Sequence, residues 1–240
     1  MSKVLAYCAY LKRTEIMLPP AGVNGAPLQL IARNDLRLVW SQVDWPFNAH
    51  QLQGFAVDFH NVVSQVFRQA AVAPFQLLTV FDNRDAMVEY ARANEEAIVA
   101  DLDRLKACVQ MECVAYVVGA RRDTLQNPPG PDPAEPNLAK DAAKNPAKSH
   151  YDPQALFHMK EYTDQVVATV AGHSRDVKVR EVTGGNRIFA LVDRGQEQLF
   201  LQTVHDLPLP SMVSRRVKGP EPAGEFLSLR LGAPRPAKQP

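Results

Sequence analysis

Residues 72–83, VAPFQLLTVFDN, form a short and almost entirely apolar run with a proline near its start and an Asp-Asn pair at its end. In an enzyme of the α/β type, catalytic groups or a phosphate-binding loop would stand at the end of such a strand. None stands here. The run therefore predicts a strand that is covered by helices on one face and paired on both edges, with Pro74 where the loss of one backbone donor costs least.

Two helical patterns flank this run. In the segment before it, the apolar residues recur at steps of three and four, which predicts one buried helix face: Phe55, Phe59, Val62, Val63, Val66, Phe67 and Ala70. Asp82 or Asn83 can cap a second helix, because their side chains accept hydrogen bonds from free first-turn amides. That helix shows the same spacing at Met87, Tyr90, Asn94, Ile98, Leu102 and Leu105.

The remaining elements complete two α+β units. Strands are predicted over 3–10, 26–32, 36–43 and 111–118, with Asn34-Asp35 as a hairpin turn. Asp152 and Pro153 begin a further helix, Thr-Gly-Gly-Asn (183–186) joins two more strands, and a short helix is expected over 194–206. The segments SMVSRRV and EFLSLRL are expected to be final strands. Each unit is predicted to lay its helices on one face of a mainly antiparallel sheet.

The domain boundaries follow from composition. Residues 119–150 are rich in Pro, Ala and Lys and contain almost no large apolar side chain, so we expect a linker or mobile loop there. The prediction is an N-terminal domain over 1–118, this linker, a C-terminal domain over 151–232 and a flexible tail over 233–240.

The overall composition excludes several classes of function. The formal net charge is +1, from 27 basic and 26 acidic residues, so no field of one sign would attract nucleic acid or anionic lipid. The cations Arg215, Arg216 and Lys218 cluster without interleaved aromatic residues, and a guarded edge strand explains them. We expect neither a signal peptide nor a membrane span, and cytoplasmic thiols at the three cysteines.

No combination of residues predicts catalysis, a metal or a cofactor. The nucleophile elbow, the zinc-protease helix and both nucleotide-binding glycine loops are absent from the sequence. His60 fits a helix-anchoring hydrogen bond better than a catalytic base, and Cys108 with Cys113 fits two buried thiols better than a metal site. Glu112 is expected either at an edge or paired with a cation such as Arg121 or Arg122. Gly184-Gly185 beside Asn186 could bind an anion, but a turn is favoured.

The order of these segments resembles the gas vesicle accessory proteins F and L. That family has a helix led by a histidine, then a strand close to V-L-P-L-R-F-G-T-V-F, a long helix ending in L-x-x-L and a strand opened by glutamate. The matching positions here are His60, Pro74, Phe75, Thr79, Val80, Phe81, Leu102, Leu105 and Glu112. NRIFALV, with Phe189, resembles a later family strand. GPEPAGEF, with Gly219, Pro220 and Phe226, resembles the closing G-P-W-P-P-Y-S-F.

The resemblance implies a two-domain cytoplasmic protein without catalysis. Its N-terminal domain would be ferredoxin-like and its C-terminal domain a modified version of that fold. It would act in the assembly of gas vesicles, binding the hydrophobic shell protein and other accessory proteins, with no cofactor. The motif positions are expected to be structural. Gas-filled shells are protein assemblies, so such a factor needs binding surfaces rather than a base and a nucleophile.

The sequence also departs from the family pattern. Gln76-Leu77-Leu78 stands where the family has Arg-Phe-Gly, Glu221 replaces the closing Trp, and Gly224-Glu225 replaces Tyr-Ser. These departures favour a second hypothesis, a relative recruited to another binding or regulatory task. A third hypothesis, an enzyme that uses His60 or the cysteines, would need a deep pocket that brings them next to an acid or a thiol.

Limited proteolysis tests the linker prediction. Because residues 119–150 lack the apolar side chains that would fold them, the first cuts by trypsin should fall between Arg121 and Lys148. Mass spectrometry of the early fragments locates them. First cuts elsewhere, with this window protected, would contradict the linker.

Overall fold

The fold is known from a computed structural model, which describes residues 1–52, 54–118 and 152–232. The predicted linker over 119–150 and the predicted tail over 233–240 lie outside these ranges. The described residues form two antiparallel sheets with helices, so the predicted α+β class is confirmed. None of the described helices has both the length and the apolar composition needed to cross a bilayer.

The described strands and helices follow one another in a mixed order. Along the chain they are β1 (Ser2–Leu11), β2 (Leu28–Arg33), β3 (Leu36–Asp44), α1 (Ala49–Leu52), α2 (Phe55–Phe67), β4 (Ala73–Pro74), β5 (Val80–Phe81), α3 (Arg84–Ala93), α4 (Glu95–Leu105), β6 (Cys108–Val117), α5 (Pro153–Ala171), β7 (Asp176–Val182), β8 (Gly185–Asp193), α6 (Glu197–Asp206) and β9 (Val213–Glu221).

The first sheet is built around β1. The strand order is β2-β3-β1-β4, and β5 also pairs with β1. Strands β2 and β3 form the predicted hairpin, in which Arg33 pairs with Leu36 and Asn34 has the positive φ of 43° that this turn requires. Strand β1 is buried from Val4 to Leu11. Such continuous burial indicates that both faces of β1 are covered.

Helices cover this sheet on both faces, which corrects the expectation of one. On one face, Val4 and Ala6 of β1 share a core cluster with Met87 and Leu102 of α3 and α4. On the other, the Tyr7 ring of β1 stacks on Phe59 of α2 with the ring centroids 5.3 Å apart. The periodicity of each helix shows that it has a buried side, but not which face of the sheet that side meets.

The run 72–83 is interrupted, and it is not the continuous strand that its apolar composition predicts. Strands β4 and β5 pair with β1, and between them Thr79 donates two bonds to the Gln76 carbonyl, from its N–H (3.1 Å) and its hydroxyl (2.7 Å). Leu77 and Leu78 are 43% and 41% exposed, and Leu78 has a φ of 65°. On the side of Phe75 away from β1, the one strand-like pairing among the described residues is an isolated bridge to Leu231.

The predicted helix over 84–105 is two helices. Asn83 caps α3 by accepting a hydrogen bond from Ala86 N at 2.9 Å, as one of the two predicted caps would. The chain breaks at Asn94, whose φ of −118° and ψ of 8° are not helical. Its side-chain Nδ2 donates a hydrogen bond to the Tyr90 carbonyl at 2.7 Å, and so gives a partner to one carbonyl at the C-terminal end of α3.

The chain returns to the first sheet at its C-terminal end. Asp101 of α4 is 4% exposed, and its Oδ2 accepts hydrogen bonds from the backbone N–H of Ser228 (2.6 Å) and the Ser228 hydroxyl (2.7 Å). Arg104 donates to the other Asp101 oxygen at 2.7 Å and to the Phe226 carbonyl at 2.6 Å. The segment EFLSLRL is therefore a short 3-10 helix over Gly224–Phe226 followed by an anchored loop, and not a strand.

The second sheet has the order β7-β8-β6-β9, so β9 is the edge strand that its cations predict. Strands β7 and β8 form the predicted hairpin. Asp152 caps α5 by accepting from Gln154 N at 2.9 Å, with Pro153 in the first turn. Arg215 of β9 donates hydrogen bonds to the carbonyls of Val204, His205 and Leu207. These bonds satisfy free carbonyl groups at the C-terminal end of α6.

The two compact units do not follow the predicted domain boundaries. Of the described residues, one unit comprises 1–52, 54–110 and 220–232, and the other comprises 111–118 and 152–219. Most of β6 therefore belongs with β7, β8 and β9, and the segment after Gly219 belongs with the first sheet. Composition marks linkers, but strand pairing between distant segments decides which elements share a unit.

The conformation of Leu78 generates a stability prediction. A non-glycine residue at positive φ costs about 1–2 kcal/mol, so Leu78→Gly should raise the free energy of unfolding by about 1 kcal/mol. Leu77 is equally exposed, but its φ is not positive. Leu77→Gly should therefore lower the free energy of unfolding by about 1 kcal/mol. Urea denaturation measures both, and a loss of stability in both variants would contradict the prediction.

The hydrogen bonds of Asp101 generate a second stability prediction. Asp101→Ala removes a buried acceptor of three hydrogen bonds, so the free energy of unfolding should fall by about 3 kcal/mol. Asp103 lies on the same helix, is 40% exposed and pairs with Arg13 and Lys106. Asp103→Ala should cost less than about 1 kcal/mol, since exposed ion pairs contribute little. Equal losses in urea denaturation would show that the Asp101 network does not hold the returning segment.

Candidate functional site

The structure places His60 on the exposed side of α2. Its Nε2 lies 3.2 Å from the Ser64 hydroxyl, one turn further along the same helix. Asp58, the acid nearest in sequence, instead accepts a hydrogen bond from Asn24 N at 3.2 Å. His60 thus makes a hydrogen bond within its own helix, and its ring is on the exposed side of that helix.

Phe75 and Phe81 belong to the core of the first unit, and the half-buried Pro74 lies next to them. Phe75 packs edge-to-face against Phe81, with the ring centroids 6.1 Å apart, and both rings contact Tyr90. The Tyr90 hydroxyl accepts from Gly232 N at 3.1 Å, so the same cluster also holds the returning segment. Pro74 precedes Phe75 and pairs with Cys8 of β1. These positions are apolar packing groups.

Glu112 is the most buried carboxylate of the second unit. It is 2% exposed, and it forms ion pairs with Arg187 Nε and, at 3.9 Å, with Lys218 Nζ. The Arg187 guanidinium also lies over the Phe189 ring, 5.0 Å from its centroid. Glu112 is therefore paired, as one of the two expectations had it, but these partners are not Arg121 or Arg122, which lie outside the described residues. The structure brings Glu112 and Phe189 together through one arginine.

The closing motif contributes one packing group and one special backbone position. Phe226 is 3% exposed, whereas Pro220 is on the surface. Gly219, two residues before the end of β9, has a φ of 118°, a conformation open to glycine and strained for other residues.

The cysteines are buried thiols, the interpretation preferred from sequence. Cys8, Cys108 and Cys113 are all buried and unbridged. Burial raises the pKa of the Cys113 thiol to about 12, and it raises the pKa of Cys8 as well. A thiolate is the reactive form, so these thiols are poor nucleophiles near neutral pH. The described residues contain no group of three metal-ligating side chains.

The second unit contains an open cleft that the sequence did not reveal. It encloses about 500 Å³ between α5 and the β7–β8 hairpin, and we call it the α5–β7 cleft. Its walls are mainly apolar, with three charged residues: Leu156, Met159, Lys160, Thr163, Asp164, Val167, Val179, Glu181, Val182, Gly184, Gly185 and Asn186. A volume of this size is typical of ligand sites.

Asn186 lines this cleft and is 8% exposed. Its Nδ2 donates to Thr163 Oγ1 at 3.0 Å, and the Thr163 hydroxyl donates to the Met159 carbonyl at 2.9 Å. The Gly184-Gly185 pair beside it is a turn, as favoured. A Cβ on Gly185 would lie 2.4 Å from the Ala115 carbonyl, so this glycine is needed for close strand approach. Gly184, Gly185 and Asn186 of this lining stood out in the sequence, whereas nothing there indicated Thr163 as their partner.

Two solved structures share this fold. The gas vesicle protein GvpF from Anabaena sp. superposes with a TM-score of 0.70 at 9% identity, over 95% of this chain and 97% of that one. GvpF from Microcystis aeruginosa superposes with a TM-score of 0.67 at 11% identity, over 95% and 99%. These identities establish likeness of fold alone. No curated protein sequence matches the chain significantly.

The sequence itself matches a family model. The model describes gas vesicle synthesis protein GvpL/GvpF and covers residues 3–228. The match spans both units and includes every motif position on which the resemblance was based. The chain therefore belongs to the gas vesicle synthesis protein GvpL/GvpF family.

Proposed function

We propose that this protein is a cytoplasmic, non-enzymatic accessory factor of gas vesicle assembly, which binds the hydrophobic shell protein and other accessory proteins. The observation that carries the proposal is the family match over residues 3–228. An assembly factor acts through its surfaces, and no cofactor or metal is needed for that role.

The chemistry of the buried polar groups supports a structural rather than a catalytic use. Asp101 is occupied by Ser228 and Arg104, and Glu112 is occupied by Arg187 and Lys218. A catalytic carboxylate must keep an oxygen available to substrate. We infer that the motif positions Pro74, Phe75, Phe81, Glu112, Phe189, Gly219 and Phe226 serve the fold, and that His60 and Pro220 are surface positions.

A second candidate is a relative that works as a binding or regulatory module outside gas vesicles. The departures from the family pattern favour it, and the one at Leu78 now has a measurable consequence, because the family's glycine suits the φ of 65° there better than leucine. Gene neighbourhood separates the two candidates. A shell-protein gene beside this one supports the first, and a genome without any shell-protein gene eliminates it.

The proposed function predicts direct binding of the shell protein. The tagged full-length chain, co-expressed with the shell protein encoded in the same genome, should co-purify it well above the level seen with an unrelated bait carrying the same tag. Quantitative immunoblotting of the shell protein measures the ratio. Deletion of the gene in the native host should reduce the number of buoyant cells. Absence of binding together with normal vesicles in the deletion strain would refute the proposal.

A further inference from the structure

The α5–β7 cleft has an unused hydrogen-bond acceptor among its lining residues. The Thr163 hydroxyl has one proton and donates it to the Met159 carbonyl, so toward Asn186 it can act only as an acceptor. The network therefore orients the Asn186 amide with Nδ2 facing Thr163. No described residue donates to Asn186 Oδ1. A side chain that is 92% buried thus presents a bare carbonyl oxygen among the residues that line an open cleft.

This arrangement favours a ligand that supplies a donor. Water can donate to this oxygen while the cleft is empty. An apolar ligand that displaces the water must supply a donor of its own, because an acceptor that loses its water and gains no donor is unfavourable. The recognition chemistry is therefore an apolar surface with one N–H or O–H group.

The walls of the cleft indicate how such a ligand would be held. Val179 of β7 is 47% exposed and Leu156 of α5 is 36% exposed, so apolar surface continues from the cleft to its mouth. Lys160 at the rim donates to Asp164 at 2.7 Å, and this bond raises the pKa of Lys160. These two charges thus neutralise each other, and Glu181 is the third charged residue of the lining, so an anionic ligand is disfavoured.

We propose that the α5–β7 cleft binds an apolar segment of the shell protein, which packs against Val179 and Leu156 and donates one hydrogen bond to Asn186 Oδ1. This inference rests on the proposed function, because that function names the partner. It adds the surface and the chemistry of contact. Binding of an apolar segment in a groove between a helix and a hairpin is a mode that secondary structure supports well.

A charge at the mouth of the cleft tests the location. Val179→Asp places a carboxylate in the apolar contact, so co-purified shell protein should fall at least tenfold relative to the wild type. The matched control is Val57→Asp, since Val57 is 62% exposed on α2 in the other unit. That control should retain binding within twofold. Both substitutions replace exposed side chains, so both variants should fold, and a thermal unfolding curve of each variant checks this.

A second variant tests the hydrogen bond. The double substitution Thr163→Val with Asn186→Leu removes both hydrogen-bonding partners at once, so it leaves no buried group newly unpaired and should keep the protein folded. It also removes the acceptor that the cleft offers. Co-purified shell protein should fall about 3- to 10-fold, the value of one neutral hydrogen bond.

Photocrosslinking gives a readout that does not depend on weakened binding. p-Benzoylphenylalanine at position 179 should form a covalent adduct with the shell protein on irradiation, and the same residue at position 57 should not. Adducts at 57 alone, or full binding by Val179→Asp, would overturn the cleft proposal while the proposed function stands. Failure of the wild-type chain to bind the shell protein at all would overturn both.

Discussion

The buried carboxylate of Asp101 is the interaction on which the first unit depends. It lies on α4 and accepts from Ser228, a residue 127 positions further along the chain. Removing a carboxylate from water is costly unless its oxygens are hydrogen-bonded, so the helix and the returning segment stabilise each other. Around this pair, Gln76 N donates to the Leu231 carbonyl at 2.6 Å, and Leu231 enters the same core cluster as Phe75. The first unit is consequently built from both ends of the described chain.

The second unit also buries a carboxylate, but it pairs that group with cations rather than with a returning segment of the chain. Glu112 is inside the sheet, and its charge is balanced by Arg187 on one neighbouring strand and Lys218 on the other. Arg215 on β9 also reaches inward, to the Tyr162 hydroxyl at 2.9 Å. Arg215 and Lys218, two of the three clustered cations of β9, are thus occupied by groups of the same unit. In both units the buried carboxylate is paired with groups of its own unit.

Local patterns in the sequence predicted the elements that local physics determines. The stripe of α2, the Asn83 and Asp152 caps and the β2–β3 hairpin depend on neighbours within a few residues, and all are present. The errors concern positions where a distant or backbone constraint prevails. An apolar run predicts a strand, but nothing in its composition shows that Leu78 turns the chain to positive φ.

The larger errors have the same cause. Asn94 fits the apolar spacing of a long helix, yet its side chain bonds to the Tyr90 carbonyl and the helix ends there. The domain boundaries depended on composition, whereas β6 pairs with strands that follow it at long range. The α5–β7 cleft depends on Asn186 meeting Thr163 across 23 positions. Such contacts leave no periodic signal, so a single sequence does not reveal them.

The split first unit has a consequence for protein synthesis. A ribosome releases residues 111–219 before it releases Ser228 and Leu231, so the inserted unit has its complete sequence available while the first unit still lacks its last part. Until then, Asp101 lacks its hydrogen bonds from Ser228, and Phe75 lacks its bridge to Leu231. Nascent chains commonly fold from the N-terminus onward. Here the first unit gains Ser228 and Leu231 only after the inserted unit has been synthesised, so its surface around Asp101 and Phe75 stays uncovered for longer than the rest of its core.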